Sequence, residues 1–214
     1  MNNAIFFDLD GTLVDSKKDL EKAVVYTALN LKLKVLSKEY ILSLVGNGIH
    51  SLIRDYLESI DCLNYYNQFL NIFLSYYYDH VCEDSYIYDG VKTTLLTLKK
   101  HYKLFVVSNK LEAFSKKLLL EIGIADFFEE IVGGDSFKNK KPHPQPVLSL
   151  IKRYKINPSN SIFIGDSEND YFASKASNIK MGWVSFGYKD ASILKKITPD
   201  FIFDKFKYIL NVTL

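Results

Sequence analysis

Hydrophobic positions fall into two patterns along this chain. Short apolar runs at Ala4–Phe7, Lys103–Val107, Glu130–Val132 and Ser161–Ile164 are bounded by Gly, Asp, Ser or Asn and predict buried strands. Lys180–Val184 and Phe201–Phe203 continue the series with shorter signals. Between the runs, apolar residues recur at helical spacing over Val91–His101, Leu111–Gly123, Pro146–Tyr154 and Glu168–Ser177. Strands alternating with helices of this length predict an α/β fold, a doubly wound and mostly parallel sheet covered on both faces.

From Lys17 to Ser85 the rhythm changes, and only helical periodicity remains. Leu20, Ala23, Val24, Ala28 and Leu31 form one stripe, with Ser16 and Asp19 spaced as a capping box at its start. Ile49, Leu52, Ile53, Tyr56, Leu57 and Ile60 form a second, and Leu63, Tyr66, Phe69, Leu70, Phe73, Leu74 and Tyr77 a third. About seventy helical residues inserted after the first strand of a sheet predict a separate small domain, here 16–87, set into a core of 1–15 and 88–214. The Tyr76–Tyr78 triplet is expected in the core and interface of that insertion. The turn signal Tyr88-Asp89-Gly90 marks the return to the sheet.

Composition narrows the class. The 214 residues carry 27 basic and 25 acidic side chains, a net charge of +2, which is too balanced for a general nucleic-acid binder. Two cysteines, Cys62 and Cys82, follow no metal or disulfide spacing. The N-terminus has no basic, apolar leader pattern and no apolar run approaches a membrane span, so a cytoplasmic protein without membrane partners is expected. Oligomeric state is open between monomer and homodimer.

The chemistry gathers at one place. Ligands of open parallel sheets bind outside the carboxyl ends of the strands. There the sequence puts Asp8 and Asp10 after the first strand, Ser108-Asn109 after another, and Gly165-Asp166-Ser167 with Asp170 after a third. Several carboxylates at one sheet edge repel one another unless a cation sits among them. An oxygen-rich set lacking His and Cys suits Mg²⁺, which commonly recruits phosphate oxygens as well. The residues themselves therefore point to phosphoryl chemistry.

These residues also resemble a family. Asp8-Leu9-Asp10-Gly11-Thr12-Leu13-Val14-Asp15-Ser16, then Ser108-Asn109-Lys110, Lys141-Pro142, and Gly165-Asp166-Ser167-Glu168-Asn169-Asp170 match, in order, the four signatures of the haloacid dehalogenase-like superfamily in its phosphatase branch. The resemblance runs from about residue 4 to 185 and includes the helical insertion. It implies a Rossmann-like core with a helical cap, and a Mg²⁺-dependent phosphatase. Asp8 would be the nucleophile that becomes an aspartyl-phosphate, and Asp10 the acid and then the base. Gly11, Thr12, Ser108, Asn109 and Lys141 would bind the phosphoryl group, with Lys140 a competitor for the lysine role. Asp8, Asp10, Asp166 and Asp170 would hold the metal.

Within the superfamily, Asp10 argues against halide chemistry, and Lys17, Lys18 and Lys22 read as ordinary helix-surface lysines rather than a Schiff-base lysine. The cap loop Leu44–His50, with Gly46, Asn47, Gly48 and His50, is the expected specificity segment. Together these features look most like the phosphoglycolate phosphatase subgroup, so a small acidic phosphomonoester such as 2-phosphoglycolate is the expected substrate. A pyrophosphatase, a sugar-phosphate or nucleoside-monophosphate phosphatase, a phosphosugar mutase, a catalytically idle binding module and a response-regulator-type phosphoacceptor are the alternatives.

Overall fold

The structure, a computed structural model, describes residues 2–212. Six strands, β1 (Ala4–Phe7), β4 (Lys103–Val107), β5 (Glu130–Val132), β6 (Ser161–Gly165), β7 (Lys180–Val184) and β8 (Phe201–Phe203), form one sheet in the order β5-β4-β1-β6-β7-β8. Every pairing is parallel, so the sheet is wholly rather than mostly parallel. Counting only these strands, the order is 3-2-1-4-5-6, and it reverses between β1 and β6. A short ribbon of β2 (Val14–Asp15) and β3 (Tyr86–Ile87) lies where the chain leaves and rejoins the sheet.

The strands form because both sheet faces are buried, which is why they read as continuous apolar runs. Phe6 lies in register with Phe105 and Phe163, its ring stacking on theirs at centroid distances of 5.2 and 6.4 Å. Phe7 points to the opposite face, against Phe128 and Phe206. The two short signals are genuine strands: Met181 and Trp183 are fully buried on β7, and Phe203 anchors β8. Helices α5 (Val91–Leu98), α6 (Glu112–Glu121), α7 (Gln145–Tyr154) and α8 (Glu168–Ala176) follow β3, β4, β5 and β6. Truncating Phe6, which has 0% exposure and three-strand packing, leaves a cavity at the centre of the sheet. Phe6→Ala is expected to cost about 3–5 kcal/mol of unfolding free energy, read from a denaturant titration.

The segment Ser16–Tyr86 packs chiefly on itself and forms a compact unit of its own. It contains α1 (Lys17–Asn30), α2 (Lys38–Ser43), α3 (Ile49–Glu58) and α4 (Tyr66–Asp79). The first two predicted stripes are buried as expected, apart from the half-exposed Leu31, Ile49 and Ile60 at their ends. The third is narrower: only Phe69, Phe73 and Tyr77 are buried, and Leu63 is 46% exposed. Of the tyrosine triplet, Tyr77 alone enters the core. Tyr78 is exposed and Tyr76 stacks between Tyr26 and His80, because consecutive helical positions point about 100° apart.

The capping box at Ser16 and Asp19 does not form. Ser16 makes no side-chain cap bond, and Asp19 turns inward to accept from the Asp84 and Ser85 amides and the Ser85 hydroxyl. A buried carboxylate needs several donors, and the returning chain offers three where the first turn of α1 offers one.

Candidate active site

The crevice at the reversal between β1 and β6 is built by the loops that leave those two strands. The Asp8 amide extends the ladder, donating to Ile164 O at 2.9 Å. The chain then turns sharply, with the Leu9 carbonyl accepting from the amides of Thr12, Leu13 and Val14. Gly11 permits this at φ +87°; a Cβ there would stand 2.4 Å from Asp166 Oδ2. Asp8 is thereby held at the strand tip, 8% exposed.

From β6, Asp166 and Asp170 reach the same point. Asp170 Oδ2 accepts from the Ser167 amide at 3.0 Å and the Ser167 hydroxyl at 2.7 Å, part of a capping box that starts α8. Gly165 is required beside it, since a Cβ would sit 2.4 Å from the Asp170 carboxyl. Asp166 is fixed by the Tyr188 amide on its carboxylate and the Trp183 indole on its carbonyl. Carboxylate oxygens of Asp8, Asp166 and Asp170, all three buried, lie within 4.8 Å of one another.

Lys141 closes this cluster. Its Nζ is 2.7 Å from Asp8 Oδ1 and 2.7 Å from Asp170 Oδ1, and the residue is 3% exposed, whereas Lys140 is only half-buried. The lysine in the cluster is therefore Lys141. The Asn109 side-chain nitrogen donates to the Lys141 carbonyl at 3.1 Å and so fastens the loop that carries the lysine. Ser108 is buried, and its Oγ accepts from the Lys110 amide, leaving the hydroxyl hydrogen to donate elsewhere. The Thr12 hydroxyl is buried with no hydrogen-bond partner among the described residues.

Asp10 stands slightly apart, its two oxygens 3.0 and 2.9 Å from Lys110 Nζ. In the helical unit, Gly46 and Gly48 take φ of +127° and +82° in the turn before α3, Asn47 is exposed, and His50 Nδ1 meets the Tyr66 hydroxyl at 2.7 Å. A second acidic trio there, Asp19, Glu83 and Asp84, is already served by Lys18, Lys22 and backbone amides.

The family model of haloacid dehalogenase-like hydrolases matches residues 5–184. The chain belongs to that family. Among its relatives is a phosphoglycolate phosphatase of Colwellia psychrerythraea, 35% identical over 213 residues, covering 96% of this chain and 94% of that one. The phosphoglycolate phosphatase of Aquifex aeolicus is 34% identical, with 92% and 90% covered. A crystal structure of a predicted phosphoglycolate phosphatase from Haemophilus somnus superposes with a TM-score of 0.92 at 33% identity, covering 99% of this chain and 98% of that one. This haloacid dehalogenase-like hydrolase is thus an enzyme of the phosphoric monoester hydrolase branch. Among the described residues no helix is long and apolar enough to cross a membrane.

The electrostatics of the hydrolase's crevice suit a divalent cation. Three buried carboxylates face one buried ammonium, so two negative charges are uncompensated when all three are ionised. Burial works against the charge on Lys141, yet Asp170 and Asp8 outweigh it and hold the ammonium above its ordinary pKa. Burial pushes the Asp8 carboxyl up against the pull of Lys141, and Asp166 is pushed up to about 7 by burial and by the neighbouring Asp170 charge. The donor set is all oxygen, as Mg²⁺ requires.

A carboxyl whose folded pKa exceeds its unfolded value binds its proton more tightly when folded. Its stabilising contribution is complete below the unfolded pKa and is lost as pH rises through about 7 for Asp166. The metal-free hydrolase is therefore expected to melt lower at about pH 8 than at about pH 5.5, and added Mg²⁺ to raise Tm most at the higher pH. A Tm in chelator that climbs over this range would contradict the charge balance.

Sequence reasoning missed three contributors: Lys110 on Asp10, Ser167 on Asp170, and the Tyr188 amide on Asp166. Lys110 could have been found. Phe7 pairs with Val106, so Asp10, three residues past Phe7, and Lys110, four past Val106, leave neighbouring strands at similar depth. Tyr188 had no such signal.

Proposed function

We propose that this hydrolase is a Mg²⁺-dependent phosphomonoester phosphatase working through an aspartyl-phosphate on Asp8. One observation carries the reading: a buried carboxylate at the strand tip, in contact with a buried lysine and within 4.8 Å of two further carboxylates that leave the cluster short of positive charge. A bound divalent cation would favour the ionised form of Asp8 against the burial that raises its pKa, and an ionised carboxylate needs no base to act as a nucleophile. An Asp8 oxygen bonds to phosphorus as the bond to the leaving oxygen breaks, and Asp10 gives that oxygen a proton. Water then loses a proton to Asp10 while its oxygen bonds to phosphorus. The bond from phosphorus to Asp8 breaks, releasing phosphate and restoring both aspartates.

Lys141 supplies positive charge beside Asp8 throughout, and the Ser108 hydroxyl, with the Gly11–Thr12 turn, binds phosphoryl oxygens. Asp8, Asp166 and Asp170, with the Asp10 carbonyl, would hold Mg²⁺, which when bound neutralises charge on the phosphoryl group.

The helical segment 16–87 acts as a cap on the core of 1–15 and 88–214, and its Gly46–His50 turn selects the substrate. The names of the relatives support 2-phosphoglycolate or a similarly small, acidic phosphomonoester. Two cysteines in 214 residues are too few for a disulfide framework, which suits the reducing cytoplasm.

A panel of phosphorylated metabolites assayed by kcat/KM tests the substrate. Asn47→Ala and His50→Ala are expected to reorder the panel by roughly 10-fold or more while changing 4-nitrophenyl phosphate turnover by less than about 3-fold. Equal losses on every substrate would take selection away from this turn.

A further inference from the structure

We propose that Lys110 is the positioning residue for the Asp10 carboxylate, fixing where it meets the attacking water. The inference rests on the acid–base role proposed above for Asp10. Three observations bear it. Lys110 Nζ reaches both Asp10 oxygens, at 3.0 and 2.9 Å, so one donor fixes both the position and the plane of the carboxylate. The lysine side chain is only 5% exposed and that of Asp10 15%, a degree of burial at which an ion pair holds its geometry far better than one on the surface.

The lysine backbone is itself pinned. Its amide donates to Ser108 Oγ at 3.1 Å, and its carbonyl accepts from the Gly134 amide at 2.8 Å. Gly134 has no room for a side chain, since a Cβ would stand 2.5 Å from the Asn109 carbonyl oxygen. A run of bonded groups thus leads from the tip of β4 through Lys110 to Asp10, and the Lys110 ammonium is separate from that of Lys141, which serves Asp8 and Asp170.

The step that depends most on this aim is breakdown of the phosphoenzyme. There a water O–H bond breaks, its proton passes to Asp10, the water oxygen bonds to phosphorus, and the bond from phosphorus to the Asp8 oxygen breaks. Formation of the phosphoenzyme from 4-nitrophenyl phosphate needs little proton donation, because nitrophenolate leaves readily. Loss of aim at Asp10 therefore separates the two halves of the reaction.

The experiment is rapid-quench kinetics of the full chain with Mg²⁺ and 4-nitrophenyl phosphate, comparing wild type, Lys110→Met, Lys110→Arg and Asp10→Asn. In Lys110→Met, a nitrophenolate burst equal to the enzyme concentration is expected at near wild-type rate. Phosphoenzyme breakdown should then be slowed by roughly 100-fold, with KM not raised and partial recovery in Lys110→Arg. Should Lys110→Met fail to fold, Lys110→Gln is held to the same criteria.

Unchanged breakdown overturns the proposal. A raised KM with a slowed burst overturns it in favour of direct substrate binding. Equal slowing of both halves with a lower burst amplitude overturns it in favour of a purely structural role. Normal breakdown in Asp10→Asn instead removes the acid–base reading itself, so the two failures are told apart.

Discussion

Asp8→Asn is expected to abolish hydrolysis of every phosphomonoester, by on the order of 10⁴-fold or more, while the protein stays folded. The amide is nearly isosteric but cannot attack phosphorus from an ionised oxygen. Replacing the buried charge also relieves crowding among Asp8, Asp166 and Asp170, so Tm in chelator should hold or rise even as activity vanishes. Lys141 keeps Asp170 as a partner in the variant. Loss of activity with intact circular dichroism and an unchanged or higher melting temperature is the expected pair of results. Full turnover by Asp8→Asn would remove the nucleophile assignment.

Asp10→Asn is expected to lower kcat by about 10²- to 10⁴-fold, the range of a positioned acid–base group. Its signature differs from that of the nucleophile. With 4-nitrophenyl phosphate, phosphoenzyme should form and persist, visible by intact mass after acid quench. With an alkyl phosphate, whose leaving oxygen needs a proton, the first half should fail as well. A variant that turns over both substrates normally would require another acid. The substitution also leaves Lys110 facing an amide in place of a carboxylate, so a loss of stability is expected with it.

How much of this is legible in the chain depends on the range of the interaction. The strands β1, β4 and β6 are readable because both sheet faces are buried and the apolar runs are continuous. β7 and β8 give fainter signals for a structural reason: β7 admits Gly182, where a Cβ would meet the Phe203 ring at 2.5 Å, and β8 leaves Ile202 exposed. The carboxylates are visible as strand-ending acids, since a βα unit delivers its functional residues to one edge. Their partners are harder to see. Asp19 has the spacing of a local cap, but long-range donors at Asp84 and Ser85 win.

Lys141 and Lys140 cannot be separated by composition or spacing alone, and burial of one of them decides it. That the Asn109 side chain holds the lysine loop is likewise invisible in the chain, since Asn109 and Lys141 lie 32 positions apart.

By itself, the sequence determined which residues end strands, where helical periodicity replaces alternation, and hence that acids collect at one edge of a parallel sheet. Those are consequences of local spacing and of the hydrophobic period, which need no knowledge of what lies opposite. Only the tertiary structure decided the pairings: Lys141 on Asp8 and Asp170, Lys110 on Asp10, Asn109 on the Lys141 carbonyl. Each of these joins residues that follow different strands, up to 133 positions apart, and exists only because parallel registry brings the strand ends to the same depth. At that depth a buried charge must find a partner, and the fold determines which one is within reach.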